Sequence, residues 1–427
     1  MNKASSTSVD VAVIGGGPAG IAAAVTAAES ARDIVLIDDN PTIGGQIWRR
    51  SIENQNSRDS AFWFERLAKS RVRVMGGSRV IYTEGHELQI ETDDSISHLR
   101  SEKLVLATGA RELLLPFPGW TLPNVVGAGG LQALVKSGLD VTRKRVVVAG
   151  TGPLLLAVAA YLCAHGAEVV CVCEQASMSA LGTFAGTMLR FQAKISEAIK
   201  LRLTSRKASY LTSAWPVAAI GSERIEAVRI SDGGRLREIP CDYLACGFHL
   251  VPNTELAQLL KCQLRDGFVA TDEYQQTSVA DLYCAGEPTG IGGMELSILE
   301  GRIAGHAATN KKDNASRLFA DRARYRKLAS AMDKTFQPRP ELKDLPAEDT
   351  IVCRCEDVAL GRMRKHTSWK AAKLHTRCGM GPCQGRICGA AAHFLFGWDT
   401  VASRPPVFPA RCSSLAALSS QVHGGSQ

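Results

Sequence analysis

Two strand, glycine loop, helix, strand units constrain the fold of this chain more than any other feature. The first reads VDVAVIGGG, PAGIAAAVTAAES and DIVLIDD, and the second reads KRVVVAGTG, PLLLAVAAYLCAHG and AEVVCVCE. A continuous apolar run is typical of a parallel strand buried on both faces, and a glycine turn into an alanine-rich helix is typical of a dinucleotide-binding βαβ unit. The sequence therefore predicts an α/β fold with two Rossmann-like domains.

Two uncharged stretches, residues 11–28 and 146–164, come close to the length of about 20 residues that a membrane-spanning helix needs. Each contains glycines directly after a short β-branched run, which favours a buried strand turning into a helix. We therefore expect no membrane-spanning segment. The opening MNKASSTSVD contains no apolar signal segment, so we expect the thirteen cysteines to be thiols or metal ligands rather than disulfides.

The first glycine loop carries a dinucleotide-binding fingerprint. Gly15, Gly17 and Gly20 form G-x-G-x-x-G between an apolar strand and a helix. These glycines suit a tight turn, a close approach to a pyrophosphate and close packing of helix on strand, while the helix N-terminus offers free N–H groups to phosphates. Asp38 ends the next strand, where a carboxylate can accept hydrogen bonds from a ribose. A glycine-rich loop without a ligand is the alternative.

A distant segment indicates which dinucleotide binds there. In TSVADLYCAGE a strand ends at Gly286 and Glu287, which resembles the second FAD signature of two-domain flavoproteins, where the acid contacts the ribityl chain. Aspartate is commoner at the position of Glu287. The ATG, GGQ and GGM motifs around Gly109, Gly45 and Gly293 are similar to the same class. The residues that this resemblance assigns to FAD are Gly15, Gly17, Gly20, Asp38, Gly45, Gln46, Gly109, Gly286, Glu287 and Gly293.

The second glycine loop is a degenerate fingerprint. It contains Gly150 and Gly152, but Leu155 stands in the third glycine position. Glu174, at the end of the following strand, favours an unphosphorylated ribose, hence NAD or another adenine nucleotide rather than NADP. In the resemblance to pyridine nucleotide-disulfide reductase-like flavoproteins, this unit is the inserted nicotinamide domain. Two interpretations stay open: the unit binds such a nucleotide, or it has kept the fold and lost hydride transfer.

The C-terminal region contains two closely spaced cysteine pairs. Cys353 and Cys355 form C-x-C, Cys383 and Cys388 form C-x4-C, and 27 residues lie between the pairs. Two thiolate pairs suit a tetrahedral-sulfur site, which means zinc or an iron–sulfur cluster. The glycines of RCGMGPCQGRICG allow the backbone to curl around such a centre and to direct N–H groups at sulfur.

The same region is basic, with ten lysines and arginines against three acidic residues from Cys353 to the end. The basic residues are Arg354, Arg362, Arg364, Lys365, Lys370, Lys373, Arg377, Arg386, Arg404 and Arg411, and the acidic ones are Glu356, Asp357 and Asp399. This charge would offset an anionic metal–thiolate centre or face an acidic protein. It therefore does not require a nucleic acid partner.

The motifs VCRCED and TRCGMGPCQGRICG resemble the 2Fe-2S module related to bacterioferritin-associated ferredoxin. That resemblance implies Cys353, Cys355, Cys383 and Cys388 as the metal ligands. Cys378 is an additional thiol, which would be a substitute ligand, a redox spare or a packed side chain, and we expect it outside the ligand set.

The order of all these motifs is similar to that of one family, the α or A subunits of heteromeric amine dehydrogenases. It includes D-hydroxyproline dehydrogenase, opine oxidases for octopine or nopaline, and the B subunit of hydrogen cyanide synthase. The resemblance implies an electron-transfer subunit with FAD and a 2Fe-2S cluster. It also implies a D-amino-acid-oxidase-like β subunit that oxidises the substrate, a downstream electron acceptor and a small ferredoxin-like subunit. We expect a cytoplasmic protein, free or peripheral to the inner membrane through that complex.

Two other functions remain as alternatives: a self-contained NADH-dependent reductase, and an interaction domain held by structural zinc. The sequence shows no nucleophile–base constellation, so we assign no catalytic residue. The predicted domains are FAD-binding at 1–111 and 241–310, an inserted NAD-type domain at 112–240, a charged helical connector at 311–349, a cysteine-rich module at 350–398 and a C-terminal arm at 399–427.

Overall fold

The computed structural model describes residues 7–49, 58–400 and 403–416, and the chain divides into two compact units. The first unit comprises Met1–Arg111, Pro252–Ala329 and Ala402–Gln427, and the second comprises Glu112–Val251 and Ser330–Val401. Each unit contains a parallel or mainly parallel sheet with helices. This confirms the predicted α/β fold with two Rossmann-like domains.

Strands and helices are distributed over both units. The strands are β1 (Thr7–Ile14), β2 (Ile34–Ile37), β3 (Arg73–Met75), β4 (Arg79–Glu84), β5 (Glu87–Glu91), β6 (Ile96–Leu106), β7 (Ala110–Glu112), β8 (Val125–Gly127), β9 (Arg145–Gly150), β10 (Glu168–Glu174), β11 (Ser209–Thr212), β12 (Ala214–Ile220), β13 (Ala227–Asp232), β14 (Arg235–Pro240), β15 (Tyr243–Gly247), β16 (Leu250–Pro252), β17 (Leu264–Arg265), β18 (Phe268–Val269), β19 (Leu282–Cys284), β20 (Ile351–Cys353) and β21 (Val358–Ala359). The α-helices are α1 (Pro18–Ala27), α2 (Arg58–Lys69), α3 (Ala128–Lys136), α4 (Leu154–Ala164), α5 (Met178–Met188), α6 (Gln192–Thr204), α7 (Glu255–Leu259), α8 (Gly293–Ala308), α9 (Lys312–Ser316), α10 (Phe319–Thr335), α11 (Leu360–Met363), α12 (Trp369–Thr376) and α13 (Cys388–Phe396).

A seven-stranded sheet forms the centre of the first unit, in the order β3-β2-β1-β6-β5-β4, with β19 beside the end of β6. β1 pairs in parallel with β2 and β6, and β19 is parallel to β6, while β4 and β5 add an antiparallel hairpin. The register places Ile14 opposite both Ile37 and Leu106, and Leu106 opposite Cys284. The loops after these four strands therefore emerge at the same edge of the sheet.

Helices α1 and α8 lie against each other in the first unit with almost no space between them. A Cβ atom built on Gly301 would lie 2.1 Å from the carbonyl oxygen of Ala19, and one on Gly305 would lie 2.5 Å from that of Ala23. The alanine-rich side of α1 thus meets glycines of α8, which allows the two backbones to approach closely. This packing places the start of α1 against the middle of α8.

The second unit has a five-stranded parallel sheet in the order β11-β10-β9-β15-β8, together with the antiparallel sheet β12-β13-β14. The parallel strands are short apolar runs, and β9 and β10 are almost wholly buried, as expected for a sheet covered on both faces. Near its end the unit also contains the short hairpin β20–β21 and helices α11 to α13. A separate group of buried side chains, including Val352, Trp369 and Ala392, forms the core of this region.

The described part of the C-terminal segment lies along the antiparallel edge of the first unit. The N–H of Val407 donates to the carbonyl oxygen of Ile81 at 2.8 Å, and the side chain of Gln89 donates to the carbonyl oxygen of Ser414 at 3.2 Å. Among the described residues, no helix has both the length and the apolar character that crossing a membrane requires.

Candidate flavin site and cysteine centre

The first glycine loop is tightly packed at two of its glycines and open at the third. A Cβ atom on Gly20 would lie 1.7 Å from the carbonyl oxygen of Gly15, and one on Gly15 would lie 2.2 Å from that of Ala107. At Gly17, by contrast, the nearest atom lies 4.0 Å from a built Cβ. Close packing at the turn with open space at the middle glycine is the arrangement that lets a pyrophosphate approach the backbone.

Asp38 and the GGQ segment lie beside this loop. The Asp38 carboxylate accepts a hydrogen bond from the N–H of Gly16 at 2.5 Å and others from the backbone and side chain of Asn40, both at 2.8 Å. The N–H of Gly44 donates to the carbonyl oxygen of Gly16 at 2.7 Å. A Cβ on Gly45 would lie 3.0 Å from the Cα of Gly17. Since an ionised carboxylate offers about four lone-pair sites, Asp38 retains acceptor capacity for a ribose.

The segment after β19 reaches the same loop from a distant part of the chain. Gly286 has φ of +81°, and a Cβ there would lie 2.9 Å from the Cβ of Ala19 in α1. The carboxylate of Glu287 accepts a hydrogen bond from the N–H of Gly293, and burial raises the pKa of Glu287 to about 7. This partly buried acid, next to the first residue of α8 and with no cationic partner among the described residues, is placed to bind a polar group of a ligand.

A buried ion pair supports this segment. The Glu300 carboxylate is 2% exposed and accepts hydrogen bonds from the N–H of Gly286 at 3.1 Å and the hydroxyl of Thr289 at 2.8 Å. The guanidinium of Arg326 donates to it at 2.8 and 3.2 Å. Because Glu300 contacts the backbone on one side and α10 on the other, it holds the Gly286 turn in place.

The remaining residues predicted for FAD lie around this edge at different depths. Gly109 follows β6 with φ of +66°, and Gly293 has φ of +81°. Apart from their neighbours in the chain, no atom of the described residues lies within 4 Å of a Cβ built on either. Gln46 is exposed. The structure thus brings together the turns at Gly15, Asp38, Gly45 and Gly286, and it leaves Gln46 on the surface.

The second glycine loop has a similarly tight first turn, but its middle glycine differs, with φ of +97° at Gly152 against −77° at Gly17, and the loop is engaged by the protein itself. A Cβ on Gly150 would lie 2.0 Å from the carbonyl oxygen of Gly247, so this turn also requires glycine. The Glu174 carboxylate, 1% exposed, accepts hydrogen bonds from the N–H of Gly152 at 2.8 Å, the hydroxyl of Thr151 at 3.0 Å and the N–H of Ala176 at 2.9 Å. Burial raises the pKa of Glu174.

The segment after α10 covers this second loop. The hydroxyl of Thr151 lies 3.2 Å from the carbonyl oxygen of Phe336, and the Phe336 ring is the nearest group to a Cβ built on Gly152, at 3.8 Å. Phe336 is 7% exposed and meets Phe184 edge to face at 5.3 Å. We call residues 336–339 the cover segment, since they lie over the face at which a nucleotide phosphate would approach.

Two further residues secure the cover segment. The side chain of Gln175 donates to the carbonyl oxygen of Gln337 at 3.3 Å and accepts from the N–H of Arg339 at 3.3 Å. The Arg339 guanidinium lies 4.5 Å from the centre of the Trp215 ring, a cation–π contact.

The predicted cysteine ligands lie together, and Cys378 lies with them. The sulfur atoms of Cys353, Cys378 and Cys388, all buried, lie within 4.8 Å of one another. Cys383 is hydrogen-bonded to Cys388 and to Cys355, and Cys355 is exposed. The structure therefore has five sulfur atoms in one centre, where the C-x-C and C-x4-C spacing alone indicated four.

The electrostatics of this centre favour thiolates at Cys353 and Cys383 only, since the pKa values of Cys355, Cys378 and Cys388 are raised. Hydrogen bonds from Cys378 and Cys388 lower the pKa of Cys353 far below that of an ordinary thiol, and N–H groups of Gly379 and Glu356 also point at its sulfur. A hydrogen bond from Cys388, together with N–H groups of Ile387 and Gly385, lowers the pKa of Cys383. The gathering of cysteine sulfurs in one place, rather than these pKa values, is what fits a tetrahedral-sulfur metal centre.

Glycines and a tryptophan shape the loop around the sulfur atoms. Cβ atoms on Gly379 and Gly385 would lie 2.6 and 3.1 Å from the ring of Trp369, and both glycines have positive φ. A Cβ on Gly381 would lie 2.3 Å from the Cβ of Cys355. The glycines therefore allow the backbone to turn closely around the cysteines, as the sequence predicts.

The fold and these sites define an oxidoreductase of the two-dinucleotide-domain class. The family model described as "Pyridine nucleotide-disulphide oxidoreductase" matches residues 9–305, and the chain belongs to that family. That family fold implies FAD binding, and the open glycine cradle at Gly17 fits it.

Within this class the chain belongs to the family of the opine oxidase A subunits and the HcnB subunits of hydrogen cyanide synthase, which confirms the resemblance seen in the motifs. It is 31% identical to the A subunit of opine oxidase from Rhizobium meliloti (strain 1021) over 96% of this chain and 98% of that protein. It is 31% identical to the HcnB subunit of hydrogen cyanide synthase from Pseudomonas protegens over 89% of this chain and 90% of that protein. These relatives are subunits of larger complexes.

A solved structure supports the fold over nearly the whole chain. The crystal structure of L-proline dehydrogenase from P. horikoshii has a TM-score of 0.68 and 21% sequence identity, and it covers 97% of this chain and 81% of that one. At this identity the similarity supports the fold alone.

Sequence reasoning missed two features of these sites, Arg326 and Phe336, and it placed a third, Cys378, outside the ligand set. Arg326 gave no motif, because its partner Glu300 lies 26 positions away on another helix. Phe336 gave no signal either, since a single aromatic residue after a charged helix is common. Cys378 did give a signal, as the first cysteine of a C-x4-C-x4-C run.

Proposed function

We propose that this chain is the electron-transfer subunit of a heteromeric dehydrogenase or oxidase complex. The substrate is a secondary amine or imino acid, D-hydroxyproline or an opine such as octopine or nopaline, and a partner flavoprotein subunit similar to D-amino-acid oxidases oxidises it. A downstream acceptor and a small ferredoxin-like subunit complete the path. The observation that carries the proposal is one chain with an open flavin-type glycine cradle and a centre of three clustered sulfurs, to which Cys383 and Cys355 are joined by hydrogen bonds.

The first unit supplies the flavin site in this proposal. The N–H groups at the start of α1 bind the pyrophosphate, Asp38 accepts hydrogen bonds from the ribose, and Glu287 binds the ribityl chain. The positive end of α8 beside Gly293 stabilises negative charge on the flavin ring. The other contacts proposed for FAD are Gly15, Gly17, Gly20, Gly45, Gln46, Gly109 and Gly286.

The second unit supplies the iron–sulfur site. Cys353, Cys355, Cys383 and Cys388 hold a 2Fe-2S cluster, and the surrounding N–H groups and arginines offset its negative charge. A bound flavin exchanges electrons in pairs or singly, whereas such a cluster takes one at a time, so the two together convert pair transfer into single-electron transfer.

The contacts of the second glycine loop favour an electron-transfer subunit, rather than an NADH-dependent reductase, as the function of this chain. The N–H of Gly152 donates to Glu174, and the hydroxyl of Thr151 donates to the cover segment. These are the groups that would meet a nucleotide. Gly150, Gly152 and Glu174 therefore act in our proposal as a structural turn, and neither NAD nor another adenine nucleotide is the electron donor at this loop.

Anaerobic titration of the purified full-length chain tests the proposal. We expect FAD, iron and sulfide to copurify, an unchanged flavin absorbance on adding NADH, and no dehydrogenation of amines when the partner flavoprotein is left out. Rapid bleaching of the flavin by NADH would make the reductase the better account. Zinc without iron or sulfide would make the cysteine centre a structural site.

The similarity to HcnB supports a second candidate, a subunit of a hydrogen cyanide synthase. The two candidates differ in the activity of the assembled complex. Chains that copurify with this one should be assayed with D-hydroxyproline, octopine, nopaline and glycine. Cyanide formed from glycine would favour the second candidate, and reduction of a dye by an imino acid or opine would favour the first.

A further inference from the structure

The cysteine centre has one sulfur more than a 2Fe-2S cluster needs, and the extra sulfur is at a particular place. Cys353, Cys378 and Cys388 form its buried part, with all three sulfur atoms within 4.8 Å of one another. Cys355 and Cys383, which are hydrogen-bonded to each other, form its outer part. We call these two parts the inner and the outer sulfurs.

The inner sulfurs are close enough for any two of them to bind one metal ion. A tetrahedral centre with metal–sulfur bonds of about 2.3 Å places its sulfur ligands about 3.8 Å apart. The inner sulfurs require a shift of only about 1 Å or less to reach that separation. Each iron of a 2Fe-2S cluster takes two protein ligands, so three inner sulfurs compete for two positions.

The local structure around Cys378 positions its sulfur to bind a metal ion together with the other inner sulfurs. It follows the end of α12, where Arg377 has φ of +67°, and its N–H donates to the hydroxyl of Thr376 at 3.2 Å. Its sulfur is hydrogen-bonded to both Cys353 and Cys388 and lies 3.7 Å from the sulfur of Met363. Cys378 thus faces the centre and is fully buried.

We propose that Cys378 is an alternative ligand at the inner end of the centre, able to replace Cys353 or Cys388 but neither of the outer sulfurs. The inference rests on the proposed iron–sulfur function of this site. It predicts an asymmetric response: loss of an inner ligand is compensated as long as Cys378 is present, and loss of Cys355 or Cys383 is not.

Iron, sulfide and electron paramagnetic resonance of the full-length protein test this proposal. Cys353→Ala, Cys388→Ala, Cys355→Ala and Cys383→Ala are purified anaerobically, each alone and combined with Cys378→Ala. Cys412→Ala, an exposed cysteine of the first unit, is the matched control. Flavin content and circular dichroism show whether each variant folds.

We expect the two inner variants to keep about half or more of the parent's iron and sulfide, with a changed resonance signal, and their double variants to keep less than about a tenth. The outer variants should lose the cluster whether or not Cys378 is present. Cys378→Ala alone should keep it. If the inner alanine variants do not fold, the same comparison is made with their serine variants.

Two results would overturn the inference, and they differ from failure of the proposed function. Inner single variants that lose iron as completely as their double variants would show that Cys378 does not bind. Outer variants that keep the cluster only when Cys378 is present would show that the swap is not confined to the inner end. A parent protein without iron and sulfide would overturn the proposed function and this inference together.

Discussion

Replacing Phe336 by alanine tests whether the cover segment closes the second glycine loop. The ring is 7% exposed, contacts Phe184 edge to face, and is the nearest group to the Cβ position of Gly152. Removing it would leave a cavity beside the loop. The Thr151 hydrogen bond to the Phe336 carbonyl is made by the backbone and would survive the substitution.

The expected loss of stability follows from the burial of the ring. Replacing a buried phenylalanine by alanine costs about 3–5 kcal/mol. We take the lower end, about 3 kcal/mol, because both neighbours of Phe336 in the chain are at least partly exposed. For a folding unit of about 200 residues, this lowers the melting temperature by roughly 6–12 °C. A nucleotide that displaced the ring would face the same cost, which corresponds to a roughly 100-fold weaker affinity.

Scanning calorimetry and NADH binding measure the two effects. We expect a lower transition temperature for Phe336→Ala and a dissociation constant for NADH up to about 100-fold lower than that of the parent. Leu189→Ala, at a side chain that is 70% exposed in the same unit, should change neither. Equal NADH affinity in parent and variant, with a stability loss under about 1 kcal/mol, would refute the idea that Phe336 covers the loop.

Three further predictions concern the first unit. Gly20→Ala places a methyl group 1.7 Å from the carbonyl oxygen of Gly15 and should abolish flavin retention, measured as the flavin-to-protein ratio. Arg326→Gln leaves the buried Glu300 without its cation and should lower the free energy of unfolding by about 2 kcal/mol in urea, a value reduced because Arg326 is 43% exposed. Burial raises the pKa of Glu287 to about 7 from 4.5, so the folded state binds the proton more tightly and stability falls as pH rises through this interval. In flavin-free protein, the free energy of unfolding of Glu287→Gln should therefore equal that of the parent at about pH 4. At about pH 8 it should exceed the parent's by about 3 kcal/mol.

The first two of these predictions each have a control variant in the same unit, and the third is tested by its pH dependence. Gly17→Ala has space for its methyl group and should fold normally while binding flavin more weakly. Arg317→Gln, at an exposed position, should leave the urea transition unchanged. If the difference in free energy of unfolding between the parent and Glu287→Gln does not change with pH, Glu287 keeps an ordinary pKa.

Much of the flavin half of this protein was predictable from the order of residues. The strand and helix of the first fingerprint are contiguous, so their periodicity and glycine spacing appear directly in the sequence. The second signature at Gly286 was recognisable because a strand ending in glycine and an acid is itself a local pattern. The assignment of individual contacts to FAD remains a prediction.

The state of the second glycine loop could not be predicted in this way. Gly150 and Glu174 have the spacing of a working site, and the missing third glycine left both interpretations open. The decisive residue, Phe336, lies 184 positions after Gly152 and carries no pattern of its own. Its effect depends on a contact that only the folded second unit creates.

The amino-acid sequence by itself determined the fold class, the family and the pairs of cysteines, because each depends on residues close together in the chain. Only the tertiary structure decided that Cys378 lies with Cys353 and Cys388, that Glu300 and Arg326 support the Gly286 turn, and that the cover segment lies over Thr151. Such contacts arise when distant segments are packed together, and side chains brought together in that way leave no periodic signal along the chain.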